Sequence, residues 1–164
     1  MPARIAFVCL GNICRSPTAE AVMRHHVAAA GLEDEILIES AGTGSWHVGA
    51  RPDRRARAEA AARGIPMDGR ARQFQAADFD RLDMVLAMDV ENAADLRALA
   101  PNAAAASKVR LLREFDPAAA AAGDLSVPDP YYGGPEGFAE VFDMVDAAAA
   151  GLLEHLRDGA APRG

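Results

Sequence analysis

The stretch Ile5-Ala-Phe-Val-Cys9-Leu-Gly-Asn-Ile-Cys-Arg15-Ser-Pro17 decides the fold. Its uninterrupted apolar run, Ile5–Val8, suits a strand buried on both faces, as in a parallel sheet. Gly11 and Asn12 suit a sharp loop, Asn12 because a short polar side chain tolerates the left-handed backbone. Ser16 has the chemistry of a helix cap, and Pro17 that of a first helical residue. The segment therefore reads as strand, loop and helix start, with Cys9 where the strand ends. A loop whose N–H groups converge below a helix N-terminus binds anions.

The same place activates a thiol. Helix N-termini and neighbouring cations stabilise thiolates, the nucleophilic form. Cys9 would have both, with Arg15 as the cation and the Ser16 hydroxyl as a further donor to sulfur. The planar guanidinium of Arg15 can grip two phosphate oxygens at once, which lysine does not. Leu10, Gly11, Asn12, Ile13, Cys14, Arg15 and Ser16 form the expected phosphate-binding ring. In-line attack by sulfur on phosphorus would give a cysteinyl-phosphate. A cysteine by itself is more often a small buried residue; Gly11, Asn12, Arg15 and Ser16 at this spacing are what single Cys9 out.

The chain has 164 residues, most simply one domain spanning 1–164, with an ordered core expected over about 4–157. Half of it (51%) is hydrophobic, but much of this is alanine, and only 5% is aromatic. No apolar run reaches the roughly 18 residues of a membrane span, and the N-terminus lacks a basic-then-apolar leader. A cytoplasmic protein with no membrane association is expected. The two cysteines make no disulfide scaffold, and the four histidines lack the spacing of a metal site, so neither metal nor cofactor is expected. A net charge of −7 argues against nucleic acid as a partner. Charge is uneven: residues 51–72 carry seven arginines against Asp53, Glu59 and Asp68, whereas the C-terminal third is acidic. The arginine stretch reads as a solvated face or as a surface for an acidic phosphoprotein.

Strands are expected at Ile5–Cys9, Glu35–Ala41, Met84–Met88 and Val109–Leu112. Helices are expected over Pro17–Ala30, from an Asp53 cap to Gly64, from an Asp89 cap to just before Pro101, and from Pro135 onward. Asp116 to Gly134 reads as the longest loop. This alternation predicts an α/β fold with three layers: a parallel sheet, here four-stranded, with helices on both faces. Such sheets bind ligands beyond the carboxyl ends of their strands, where Cys9 lies. Gly42-Thr-Gly44 lacks the third glycine and the following helix of a dinucleotide loop.

The stretch Cys9-Leu-Gly-Asn-Ile-Cys-Arg-Ser-Pro17 resembles the phosphate-binding loop of the low-molecular-weight protein tyrosine phosphatases. The resemblance continues through Ser40-Ala-Gly-Thr43, Trp46-His-Val-Gly49, Pro52-Asp53, Gly64-Ile-Pro66, Ala71-Arg-Gln73, Asp78-Phe79 and Ala87-Met-Asp89 to Asp129-Pro-Tyr-Tyr-Gly133. It implies a four-stranded parallel sheet and hydrolysis of phosphotyrosine and small aryl phosphates, with catalytic residues Cys9, Arg15 and Asp129. Phosphotyrosine-containing proteins would be partners, phosphate and other oxyanions would occupy the site, and a monomer is expected.

A phenolate, whose conjugate acid has a pKa of about 10, leaves phosphorus slowly unless protonated. Asp129 matches the family's general acid, and Pro128 and Pro130 stiffen the chain around it. Trp46, His47, Tyr131 and Tyr132 are placed at the rim of a slot that stacks on a phenyl ring and keeps shorter phosphoserine from the sulfur. Asn12, Ser16 and Ser40 are expected to support the loop. Many members of the family carry a histidine where this chain has Gly69. Cys14 is read as a redox guard, trapping oxidised Cys9 as a disulfide. Two other functions are distinguishable by residue content. Arsenate reduction on the same fold generally passes a disulfide along further cysteines, and this chain has none after Cys14. A non-catalytic phosphotyrosine-binding module would be expected to lack Cys9 or Asp129.

Overall fold

The first strand, β1 (Ala3–Cys9), is the centre of the molecule. Residues Ile5 to Val8 are fully buried, and their side chains alternate between two cores. Ile5, Phe7 and Cys9 face one helical layer, while Ala6 and Val8 face the other. This is why the run is apolar without alternation. The computed structural model describes residues 2–160, so Met1 and 161–164 of the expected domain lie outside the described residues.

From β1 the chain enters helix α1 (Arg15–Ala29), returns as β2 (Ile36–Gly42), and forms α2 (Arg54–Ala62). A 3-10 turn over Ala76–Asp80 precedes β3 (Met84–Ala87), α3 (Val90–Leu99), α4 (Ala103–Ala106) and β4 (Val109–Leu111). A second 3-10 turn, Leu112–Phe115, leads to α5 (Pro117–Ala122) and the long α6 (Pro135–Ala160). The four strands form one parallel sheet in the order β2-β1-β3-β4. The fold is therefore the single-domain α/β sheet expected from the sequence. The order reverses at β1, so its carboxyl end is the switch point where such sheets open a crevice.

The layer of α1, α2 and α6 buries Met23, Val27, Phe138, Phe142, Val145 and Leu152 against β1 and β3. Each such side chain contributes roughly 1.5–3 kcal/mol by leaving water. The other layer sets Leu96 of α3, with Phe74, Phe79 and Leu82, against the opposite face. Asp53 and Asp89 cap α2 and α3 as expected, accepting from the N–H groups of Arg55 and Asn92.

Three readings are corrected. Ser16 does not cap α1: the helix begins at Arg15, and Cys14 is its N-cap residue without a side-chain cap bond. The Ser16 hydroxyl is turned inward to the sulfur of Cys9 and the carbonyl of Ala41. Pro17 then lies inside the first turn, where a missing N–H costs nothing. The stretch from Asp116 is not all loop, since Asp116 accepts from Ala118 and Ala119, Pro117 starts α5, and Gly123 ends it at φ 72°. Finally, the arginine stretch is not simply a solvated face. Arg55, Arg63 and Arg72 reach carboxylates and carbonyls of other elements.

Candidate active site

The end of β1 and the start of α1 enclose one side of a cavity of about 290 Å³. Cys9, Leu10, Gly11, Ile13, Cys14 and Arg15 line it from the loop, Trp46 and His47 from a second segment, and Asp129, Tyr131 and Tyr132 from a third. The expected catalytic and rim residues are thus brought together. Asn12, Ser16 and Ser40 are not in the wall; they stand behind it.

Cys9 is almost fully buried, and its sulfur receives the Asn12 N–H at 3.3 Å and meets the Ser16 hydroxyl at 3.0 Å. Asn12 has φ 57°, the single left-handed non-glycine conformation among the described residues. Its side chain holds that shape by donating to Ser16 at 2.8 Å and Ser40 at 3.0 Å and accepting from the Arg72 N–H at 3.0 Å. Ser40 in turn donates to Glu20 at 2.6 Å, and Arg24 grips the other Glu20 oxygen with two N–H groups. This relay braces Asn12 without the histidine common in the resembling family. Gly69, at φ 104°, lines a neighbouring groove with Pro17, Glu20 and Asp68.

Arg15 opens α1 with its side chain buried. Its Nη1 donates to Asp89 at 2.6 Å and to the Val127 carbonyl at 2.9 Å, while its Nη2 lies 3.9 Å from Asp129. Asp129 is half-exposed and accepts from the Tyr131 N–H at 3.0 Å. Burial pushes the Cys14 thiol well above the usual range, the charges of Asp53, Cys9 and Asp129 add to this, and Arg55 opposes them. Cys14 is therefore poorly suited to act as a thiolate.

The rim depends on close approaches. A side chain at Gly44 would overlap the Trp46 ring, and one at Gly11 would press on His47. Trp46 and Tyr132 are largely exposed, and Tyr131 and Tyr132 meet edge to face at 4.9 Å. Gly42, at the end of β2, lies so close to the Leu10 carbonyl that a Cβ there would sit at 2.7 Å.

Several contributors were not singled out from the sequence. Asp89 was legible as a helix cap, but its grip on Arg15 was not. Glu20 looked like an ordinary helix residue. Arg55 lay within an arginine run, and its side chain crosses to the carbonyls of Tyr131 and Gly133. The signal for all three is spatial, since their partners lie far along the chain.

Comparison with known proteins agrees with this geometry. Residues 4–161 match the family model described as low molecular weight phosphotyrosine protein phosphatase. The chain is 54% identical over 158 residues to a low molecular weight protein-tyrosine-phosphatase of Streptomyces coelicolor, covering 96% of each. It is 41% identical to low molecular weight protein-tyrosine phosphatase A of Mycobacterium tuberculosis, covering 99% of this chain and 97% of that one. A protein tyrosine phosphatase of Entamoeba histolytica, solved with Hepes in its active site, superposes with a TM-score of 0.90 at 37% identity, covering 96% of this chain and 99% of the other.

Proposed function

The chain belongs to the low molecular weight phosphotyrosine protein phosphatase family and is a protein-tyrosine-phosphatase, and from this premise we propose how its own residues divide the reaction. The Cys9 sulfur attacks phosphorus in line with the departing tyrosyl oxygen. The loop N–H groups and the Arg15 guanidinium hold the three equatorial oxygens, with Asp89 and Val127 fixing the orientation of Arg15. Asp129 gives its proton to the phenolic oxygen as the P–O bond breaks. The resulting carboxylate then takes a proton from water, whose oxygen attacks the cysteinyl-phosphate and releases inorganic phosphate and Cys9. Trp46, His47, Tyr131 and Tyr132 form a slot for the ring.

The observation that carries this assignment is that one cavity is walled by Cys9, Arg15 and Asp129, the last more than a hundred residues from the others. Its test is a pair of variants on aryl phosphates. Cys9→Ser is expected to abolish turnover. Asp129→Ala is expected to lose about 10²-fold or more in kcat/KM with a poor leaving group such as phenol, and much less with p-nitrophenol. Full activity of Cys9→Ser would overturn the mechanism.

Cys14 serves as the redox guard in this reading. Peroxide converts the Cys9 thiolate to a sulfenic acid. Cys14, which rests as a neutral thiol, gives up its proton as its sulfur attacks, and the sulfenic hydroxyl leaves with that proton as water, forming the Cys9–Cys14 disulfide. Cys14→Ser is then expected to regain less activity with added thiol after peroxide treatment than the native enzyme does. Phosphotyrosine-bearing proteins are the substrates, and the enzyme acts as a cytoplasmic monomer; light scattering in solution tests the oligomeric state.

A further inference from the structure

Arg55 ties the two halves of the site together. It follows the cap of α2, and its guanidinium crosses to the segment that carries Asp129. Nη2 donates to the Tyr131 carbonyl at 2.8 Å, and Nη1 to the Gly133 carbonyl at 3.2 Å. Nε and Nη2 also grip both oxygens of Asp53 at 3.1 Å, and the guanidinium lies over the Phe138 ring at 4.6 Å. Asp53 in turn donates its own N–H to the Ile13 carbonyl at 2.7 Å, inside the phosphate loop. An unbroken path of hydrogen bonds therefore runs from the phosphate loop through Asp53 and Arg55 to the backbone just beyond Asp129.

The other flank of that segment is also pinned. The Val127 N–H donates to the Met88 carbonyl at 2.7 Å, and the Val127 carbonyl accepts from Arg15. Between the two anchors lie Pro128, Asp129 and Pro130, the two prolines limiting how the backbone between them can turn. The Asp129 carboxyl itself is half-exposed, and its one hydrogen bond among the described residues is to the Tyr131 N–H. Its position thus depends on the backbone at Tyr131, which Arg55 holds.

We propose that Arg55 is a positioning residue for proton transfer, clamping the Asp129 segment to the phosphate loop so that the carboxyl meets the leaving oxygen. The proposal rests on the reading of Asp129 as the proton donor. Arg55 does not touch the reacting atoms and acts through the Tyr131 and Gly133 carbonyls. Lysine can supply the charge but not the planar fork that meets two carbonyls and a carboxylate together.

The test compares Arg55→Met, Arg55→Lys, Asp129→Ala and Arg55→Met/Asp129→Ala on phenyl phosphate and p-nitrophenyl phosphate. Inhibition by inorganic phosphate reports on the loop. Arg55→Met keeps the aliphatic stem over Phe138. It is expected to lose about tenfold or more in kcat/KM on phenyl phosphate, since a misplacement near 1 Å is costly. That ratio reports steps up to leaving-group departure and not the hydrolysis of the cysteinyl-phosphate that both substrates share. On p-nitrophenyl phosphate the loss is expected to stay within about threefold, and phosphate inhibition within about twofold, because the leaving group needs little protonation. Arg55→Lys is expected to recover part of the loss, and it provides the same comparison should Arg55→Met not fold. In the Asp129→Ala background, the Arg55 change is expected to add almost nothing. Equal losses on both substrates, or a full further loss in that background, would overturn the clamp. An Asp129→Ala enzyme with no preference for good leaving groups would instead overturn the proton-donor reading itself.

Discussion

At Asn12, backbone conformation and hydrogen bonding are both committed to one function. Its φ of 57° turns the N–H toward the Cys9 sulfur, and its side chain joins Ser16, Ser40 and the Arg72 backbone. The two contributions separate by substitution. Asn12→Gly keeps easy access to the left-handed region but removes the three side-chain bonds. Asn12→Ala removes them and adds the Cβ penalty. Both variants are expected to bind inorganic phosphate more weakly and turn over aryl phosphate more slowly. Asn12→Ala is expected to be the less stable of the two by about 1 kcal/mol, measured by denaturant unfolding. Equal stabilities would show that the left-handed turn stores no strain. The Glu20–Ser40 brace explains how this geometry is kept where the chain has Gly69.

Among the elements, α6 shows how a local preference yields to packing. Gly151 sits within the helix, where alanine is ordinarily better by roughly 0.5–1 kcal/mol. A Cβ there would lie 1.8 Å from the Phe115 carbonyl oxygen, in the turn that follows β4. Backbone cannot move aside as a side-chain tip does. Gly151→Ala is therefore expected to destabilise by about 1–3 kcal/mol net, lowering Tm by roughly 2–4 °C for each kcal/mol. An unchanged or raised Tm in calorimetry would count against the close approach. This contact also marks where sequence reading stops. The central strands β1 and β3 were legible because parallel sheets demand continuous apolar runs, and α2 and α3 because Asp53 and Asp89 announce their caps. The catalytic loop was legible because its residues are adjacent. Ser16 was misread as a cap because serine suits one. Its bond to the Cys9 sulfur was expected from the loop; its bond to the Ala41 carbonyl was not, since that partner comes from another strand. Arg55, Glu20 and Asp89 were illegible as site residues because their bonds span tens of residues in sequence.

Across the molecule, the arginine-rich middle and its acidic partners brace the site from two sides. Arg55 and Arg63 reach the segment before α6 and α6 itself, and Arg72 with Arg81 meets Glu39 and Asp78. Asp78 accepts from Gln75 N–H, Arg81 and Arg72, and the Arg72 backbone holds Asn12. Burial opposes its ionisation, but the Gln75, Arg81 and Arg72 hydrogen bonds outweigh this and hold Asp78 below its ordinary value of 3.8. Asp53 is likewise held low, with burial overcome by its side-chain and backbone bonds to Arg55. Each carboxyl binds a proton less tightly in the folded chain than in the unfolded one. Their stabilisation is therefore complete above pH 3.8 and shrinks as pH falls through the lowered folded values, where the unfolded state takes up protons first. Asp78→Asn removes one of these two contributions, so it is expected to be less stable than the native protein at pH 7 but to lose less on acidification. Thermal unfolding of both proteins at pH 7 and at about pH 3 measures this: the gap in Tm should narrow in acid. A gap that stays constant would mean that Asp78 carries no proton-linked stability.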